Sequence, residues 1–339
     1  MAKKYYSRSE KEKLAKKIVV AVATFIIVCT ATIAVGRIVD NQQMDTGQKE
    51  AKATADTVTI NGVKCKPNWD IQTYLFIGED ARGVKQATTE YNGTGQSDVL
   101  ELLVMDTKNN TYHKLPINRD TITDVKWLDK DGSYLATTKS QIALAHTNGD
   151  GMEQSCENTA DAVSNMLYGI RIDGYICLDI DSIKILNHLA GGVPVTIEDD
   201  FSKSDTSLVM GQTVTLTDEQ ALHFVHDRMN VGDGTNEGRM RRQKAYIDAL
   251  FPLYKAKLQA DSGFINNFYN ELSDYMVTDM SVGEMGNVAN MILNSEDKGE
   301  LSIKGTNAIN KEDGYNEFTM DETSRGDVAM ELFFNKVEK

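Results

Sequence analysis

From residue 71 onward the chain alternates short apolar runs with helical spacings, which predicts a folded α/β domain. Residues 73–77 read as a strand closed by Gly78. Residues 99–105 and 111–117 read as two more, separated by the turn 106–110. Apolar spacing over 152–168 (Ala160, Val163, Met166, Leu167) predicts a helix that stops at Gly169. Then come a strand at 171–179, a helix at 182–189 ending at Gly191-Gly192, and a strand at 193–197. Thr217 with Gln220 forms a capping box that opens a helix through Asp227. A second helix starts near Gly238 and runs toward Leu258, with Pro252 as an expected kink. The tail from Phe264 alternates helical runs with one short strand at 301–304. Strands mixed with helices predict a single-domain α/β/α sandwich with a mixed central sheet, occupying 71–335 and followed by a tail at 336–339.

Upstream the pattern changes. Residues 1–17 carry seven Lys or Arg against Glu10 and Glu12, and 18–36 then run for nineteen residues without a charge. About twenty apolar residues cross a bilayer as a helix, and basic flanks stay cytoplasmic. We expect an N-terminal transmembrane helix at 18–36, a cytoplasmic basic tail at 1–17, and a polar extracytoplasmic linker at 37–70. That is a single-pass type II protein of the cell membrane with its folded domain outside. A cleaved signal peptide has a shorter apolar core and a small-residue cleavage site, unlike the Gly36-Arg37-Ile38-Val39 that follows this run. Of the four cysteines, Cys29 lies in the apolar run, and Cys65, Cys156 and Cys177 lie beyond it without metal-ligand spacing. Cys177 reads as a small core hydrophobe, and a Cys65–Cys156 disulfide stays open.

The formal net charge is -14, yet four arginines (Arg228, Arg239, Arg241, Arg242) fall within fifteen residues. A nucleic-acid duplex would be repelled by the acidic remainder, whereas a compact anion such as a pyrophosphate needs only a local cluster. Arginine presents a planar, permanent fork that matches phosphate oxygens in pairs. If the first three strands of the domain are antiparallel neighbours, Asp80 and Arg82 (after the first), Asp98 (before the second) and Arg119 with Asp120 (after the third) share one sheet edge. Ligands of α/β sheets bind outside strand ends. The 226–243 stretch adds His226 and Arg228 at the end of one helix, the loop Gly232-Asp233-Gly234, and Arg239, Arg242 and Gln243 on one face of the next. Carboxylates beside a phosphate call for a cation between them, and Mg²⁺ held by one or two carboxylates plus substrate phosphates is the usual arrangement. Singly, Asp80 and Asp98 read as turn and cap residues, and Arg241 as a solvated charge; the joint pattern is what points to a site.

These residues sit in an ordered set of motifs: 75–82 (LFIGEDAR), Ser97-Asp98, 115–121 (LPINRDT), 139–146 (KSQIALAH), 172–175 (IDGY), 189–193 (LAGGV), and Ala221-Leu222 through Arg228, Arg239 and Arg242-Gln243. In this the chain resembles the LytR–CpsA–Psr family. The resemblance implies an α/β sandwich with a lipid-filled apolar pocket. It also implies transfer of an anionic glycopolymer, of teichoic acid or capsule type, from an undecaprenyl-pyrophosphate carrier to peptidoglycan. By position, Asp80 and Asp98 would be the Mg²⁺-associated acids (Mn²⁺ an alternative), and Asp98, Arg119 and Asp80 the catalytic set. Arg82, Arg119, Arg228 and Arg239 would grip the pyrophosphate, with Arg242, Gln243 and His226 beside them. The expected partners are the lipid-linked polymer, peptidoglycan and membrane lipid, and no nucleic acid. Two positions depart from the family: His226 stands where it usually has Arg, and Asn236 where it usually has Asp. Two rival readings use the same residues: a polyprenyl-pyrophosphate phosphatase with water as acceptor, and a non-enzymatic wall-polymer binding or regulatory module.

Overall fold

The structure is a computed structural model that describes residues 57–87, 95–129, 132–311 and 314–337. The expected transmembrane run at 18–36 and the basic tail lie outside the described residues, among which no helix is long and apolar enough to cross a membrane.

The compact unit begins at Thr57, earlier than the apolar pattern predicts. Strands β1 (Val58–Ile60) and β2 (Val63–Pro67) form a hairpin. Its turn residues Asn61 and Gly62 sit at φ 48° and 77°, the left-handed pair favoured by two-residue hairpin loops. Ile60 and Cys65 are fully buried, so 57–70 belongs to the domain and not to the linker. Exposed Lys64 and Lys66 flank Cys65, and they made the segment read as polar.

The next strands are β3 (Ile71–Glu79), β4 (Ser97–Asp106) and β5 (Thr111–Ile117), followed by the hairpin β6 (Ile122–Leu128) and β7 (Tyr134–Gln141). A short helix α1 (Leu144–Thr147) leads to α2 (Glu153–Met166), β8 (Gly174–Asp179), α3 (Ser182–Ala190) and the small pair β9 (Pro194–Thr196) and β10 (Thr213–Thr215). Helices α4 (Asp218–His226), α5 (Asn236–Ala260) and α6 (Phe264–Leu272) precede β11 (Met276–Thr278), α7 (Val282–Asn294) and β12 (Glu296–Glu300). The chain then forms β13 (Gly305–Ile309), β14 (Asn316–Met320), α8 (Glu322–Leu332) and β15 (Phe334–Lys336).

The central sheet has six strands in the order β11-β8-β3-β4-β5-β12. It is mixed: β3–β8 and β5–β12 pair parallel, and β3–β4, β4–β5 and β8–β11 antiparallel. Successive residues of a strand face opposite ways, so Leu102 and Leu103 serve different cores. Leu75, Ile77, Leu102 and Leu115 pack with Val163 and Met166 of α2. Leu103, Met105, Tyr112 and Ile176 pack with Leu186, Phe224, Tyr246 and Leu250 of α3, α4 and α5. This is the α/β architecture expected, a mixed sheet with helices flanking it.

Local chemistry explains most boundaries. After α2, Tyr168 and Gly169 both adopt positive φ, and the Gly169 N–H returns to the Ser164 carbonyl at 2.8 Å. The Thr217–Gln220 capping box is present at both ends. The helix expected from Gly238 starts at Asn236, because the Thr235 hydroxyl accepts the Gly238 N–H at 3.0 Å. β8 begins at Gly174 instead of 171, since Asp173 turns its carboxylate to the Thr73 N–H at 2.8 Å. The strand expected at 301–304 lies at 296–300: Glu296, Asp297 and Glu300 pair with β5, while Leu301 and Ile303 pack on the first core outside any ladder. A strand with no apolar residue has no signature in an alternation pattern. Cys65, Cys156 and Cys177 are all reduced and buried, so the Cys65–Cys156 disulfide is not formed.

Candidate active site at the mouth of an apolar cavity

The antiparallel register of β3 with β4 puts Glu79 opposite Ser97, and that of β4 with β5 puts Leu100 opposite Ile117. The end of β3, the start of β4 and the end of β5 therefore share one edge, and Asp179 at the end of β8 lies beside Glu79 there. Asp80 follows β3 and pairs with Gln96 twice: its N–H donates to the Gln96 carbonyl at 3.2 Å, and its Oδ1 accepts the Gln96 N–H at 2.7 Å. Beyond β5, Asn118 Oδ1 accepts the Asp120 N–H at 2.9 Å and the Asn118 carbonyl accepts the Thr121 N–H at 3.0 Å. That turn aims Arg119 back across the edge.

There Asp98 becomes a bridge. Its Oδ1 pairs with Arg119 Nη1, and its Oδ2 with Nη2 of Arg239, in the first turn of α5, at 2.8 Å. Arg119 Nη2 also donates to Gln96 Oε1 at 2.5 Å. Its Nε lies 3.4 Å from Asp120 Oδ1, a charge contact without hydrogen-bond geometry. Both arginine side chains are largely buried, and burial holds both guanidiniums below their ordinary pKa. Arg239 and Arg228 push Arg119 further down, and Arg228 does the same to Arg239. Burial raises Asp120. The carboxylates of Asp80 and Asp120 partly offset that repulsion, so three guanidiniums and three carboxylates meet at one partly desolvated recess.

The expected residues divide. Arg119, Arg228 and Arg239 converge with Asp80 and Asp98. Arg228 is exposed just past α4, and its guanidinium makes a 3.8 Å contact to Met229 Sδ. His226 and Gln243 line the same recess. His226 Nδ1 is 3.4 Å from Asp227 Oδ1. Although burial pushes Asp227 up, hydrogen bonds from Ser204, His223 and His226 hold it below the usual carboxylate range. Arg82 turns instead to Asp181 at 3.3 Å. Arg242 is 4% exposed and all its arms are taken. Nε donates to the Phe224 carbonyl at 2.8 Å, Nη1 pairs with Asp199 Oδ2 at 2.7 Å, and Nη2 donates to the Asp227 carbonyl. It fixes the loop that carries Arg228 and is not placed to grip a ligand. In this arrangement both oxygens of Asp98 are paired with guanidiniums. Asp80 Oδ2 takes no hydrogen bond among the described residues, which fits it as one hard-cation ligand alongside substrate oxygens.

Asp80, Asp98, His226, Arg239 and Gln243 form the polar end of a cavity of about 300 Å³. Its walls are Phe76, Leu103, Ile176 and Leu178 from the sheet, Leu186 of α3, Tyr246 and Leu250 of α5, Phe268 of α6, and Val288 and Ile292 of α7. The sequence reading missed Gln96, which steadies Arg119, and Asp199, which anchors Arg242. It also did not find the walls supplied by α6 and α7, because an apolar face lining a void reads the same as one lining a core.

A cationic, carboxylate-braced mouth on an apolar cavity defines a site for an amphiphile with an anionic head. The LytR_cpsA_psr family model matches residues 37–333, and the chain belongs to that family. It is 34% identical over 164 residues to the polyisoprenyl-teichoic acid–peptidoglycan teichoic acid transferase TagV of Bacillus subtilis (strain 168), a match covering 46% of this chain but only 38% of that one. It is 24% identical over 268 residues to the enzyme named TagU in Bacillus mycoides (strain KBAB4), covering 78% and 79% of the two chains. The fold is that of the B. subtilis TagV crystal structure (TM-score 0.56, 24% identity, 77% of this chain and 95% of that one). A structure of TagT bound to LI-WTA superposes equally well (TM-score 0.56, 20% identity, 78% and 89%).

Proposed function

We propose that the protein transfers an anionic glycopolymer of the teichoic acid or capsule class from a polyprenyl-pyrophosphate carrier to peptidoglycan. The observation that carries this reading is the Asp98 bridge between Arg119 and Arg239, set at the polar mouth of the apolar cavity. A lipid pyrophosphate has the matching form, a greasy chain joined to a doubly anionic head. The relatives named as teichoic acid transferases support the class of polymer and acceptor. The undecaprenyl length of the carrier, and anchorage to the cell membrane through 18–36 with the domain outside, are part of the same proposal.

In this reading the cavity takes the prenyl chain and leaves the pyrophosphate against Arg119, Arg228 and Arg239. A sugar hydroxyl of peptidoglycan attacks the polymer-side phosphorus. The P–O bond to the lipid phosphate breaks, and that phosphate departs with the chain. Arg119 and Arg239 are already held by Asp98, and Arg119 also by Gln96, so these two stabilise the growing phosphate charge without reorganising. Bound Mg²⁺ would add further charge screening, with Asp80 Oδ2 as its protein ligand. A hard cation and the proton of the attacking hydroxyl compete for that same oxygen, so a Mg²⁺-loaded site would release the proton to water.

The test uses the full chain with a polyprenyl-pyrophosphate-linked polymer, with and without peptidoglycan. Polymer joined covalently to peptidoglycan, and lost with Arg119→Ala, supports transfer. Phosphate release without any glycan acceptor would instead make it a phosphatase, and binding without turnover a wall-polymer module.

A further inference from the structure

On the opposite side of the central sheet from the cavity lies a second group of ligand-type side chains that the proposed chemistry does not use. His146 of α1, Cys156 of α2 and Cys177 of β8 are each fully buried. They come from three separate elements, and one ligand atom from each lies within 4.8 Å of the other two. His146 Nε2 is 3.6 Å from Cys177 Sγ. Its other nitrogen, Nδ1, is 2.9 Å from the Gly95 carbonyl and 3.3 Å from Glu79 Oε2, and Glu79 is in turn paired with Lys85.

We propose that His146, Cys156 and Cys177 form a buried site for one thiophilic metal ion, Zn²⁺ or Cu⁺. Four features of the geometry support it. Zinc bonds of about 2.05 Å to nitrogen and 2.3 Å to sulfur, opened to a tetrahedral angle, separate the two ligand atoms by about 3.6 Å, the distance found here. A thiol–imidazole hydrogen bond spans a similar gap, so the third ligand discriminates: such a pair has no need of Cys156 Sγ beside both atoms. The Nδ1 contacts to Gly95 and Glu79 fix that nitrogen as the donor and leave the Nε2 lone pair toward the sulfurs, the outer-shell arrangement usual for metal-bound histidine. Two thiolates, a neutral imidazole and a dication sum to zero, and the adjacent Glu79–Lys85 pair is already balanced, so Zn²⁺ buries no net charge. Cu⁺ leaves one negative charge but accepts three ligands, the number found among the described residues. The ion would join α1 and α2 to β8 directly beneath Glu79, the residue before Asp80.

The test is metal content of the full chain. It is produced under reducing conditions, supplied during folding with Zn²⁺ alone or with Cu⁺ alone, and then freed of loosely bound metal with a weak chelator. Native mass spectrometry should show one ion per chain in one of the two arms, and the arm that loads identifies the metal. Cys156→Ala and Cys177→Ala should each reduce occupancy at least tenfold, whereas Cys65→Ala, a buried thiol outside the cluster, should keep it. Because the cluster variants can fail to fold, Co²⁺ loading of the unaltered chain is the second measurement. A thiolate-to-cobalt charge-transfer band is expected in its absorption spectrum. Metal-free protein in both arms without that band, or a Cys156–Cys177 disulfide in freshly purified protein, overturns the proposal.

Discussion

Asp98 and Arg239 stand 141 positions apart in the chain and meet at 2.8 Å, Oδ2 to Nη2. The other oxygen of the same carboxylate holds Arg119, so one side chain sets the spacing of two guanidiniums. Asp98→Asn keeps the shape but removes the charge and one acceptor. Charge-assisted bonds contribute about 1.5–3 kcal/mol each, and loss of a preorganised electrostatic contact costs on the order of 100-fold in rate. Polymer transfer by the Asn variant should fall by about that factor while its far-UV spectrum is unchanged; a parental rate would remove Asp98 from the site.

Ala289 of α7 is 8% exposed and lines the cavity. Ala289→Phe would fill part of the space claimed for the prenyl chain. Burial of a methylene stabilises by about 0.8 kcal/mol, so excluding two should weaken a long-chain carrier by roughly 15-fold. A short-chain analogue that does not reach Ala289 should be unaffected. The ratio of kcat/KM for the two carriers is the measurement.

Asp199 separates structural from ligand-binding arginines. It holds Arg242 at 2.7 Å and Arg241 at 2.6 Å. Asp199→Ala leaves the Arg242 charge buried without its partner, a change that costs about 3–5 kcal/mol. Thermal unfolding should drop sharply, and activity should fall only in step with the folded fraction. A large activity loss at unchanged stability would show that Arg242 acts on substrate.

Asp179 is 2% exposed, and its Oδ2 lacks a hydrogen-bond partner. Burial, ahead of a smaller repulsion from Asp181, raises its carboxyl to about 6. A carboxyl raised in the folded state is neutral there while the unfolded one ionises. Stability is therefore greatest below the unfolded pKa and declines as pH rises from about 4 to about 6. Asp179→Asn keeps an oxygen for the Ser182 N–H and cannot ionise. Denaturant titrations should show it more stable than the parent by about 3 kcal/mol at pH 8, with the gap closing at pH 4.

The site was more legible than its frame. Asp80, Asp98 and Arg119 could be brought to one edge because strand ends and a tight turn constrain direction, and the antiparallel pairings bear that out. Arg239 and Arg228 were visible as an arginine excess in an acidic chain. Arg242 carries the same signal but has a different task, since only coordinates show Asp199 and two carbonyls taking its arms. Two of the strands missed are polar on the surface: β12 has no apolar residue, and six of the eight residues of β7 are exposed. Periodicity detects burial, and these strands are held by backbone pairing with little burial.

The β2–β15 ladder sets Phe334 against Pro67 and Lys336 against Cys65. A ribosome must therefore have made nearly the whole domain before its opening hairpin finds this neighbour. Until then β2 presents an unsatisfied row of backbone donors and acceptors, an invitation to a second nascent chain. Fusions or deletions at the carboxyl end should accordingly show their damage at the amino end, as misassembly.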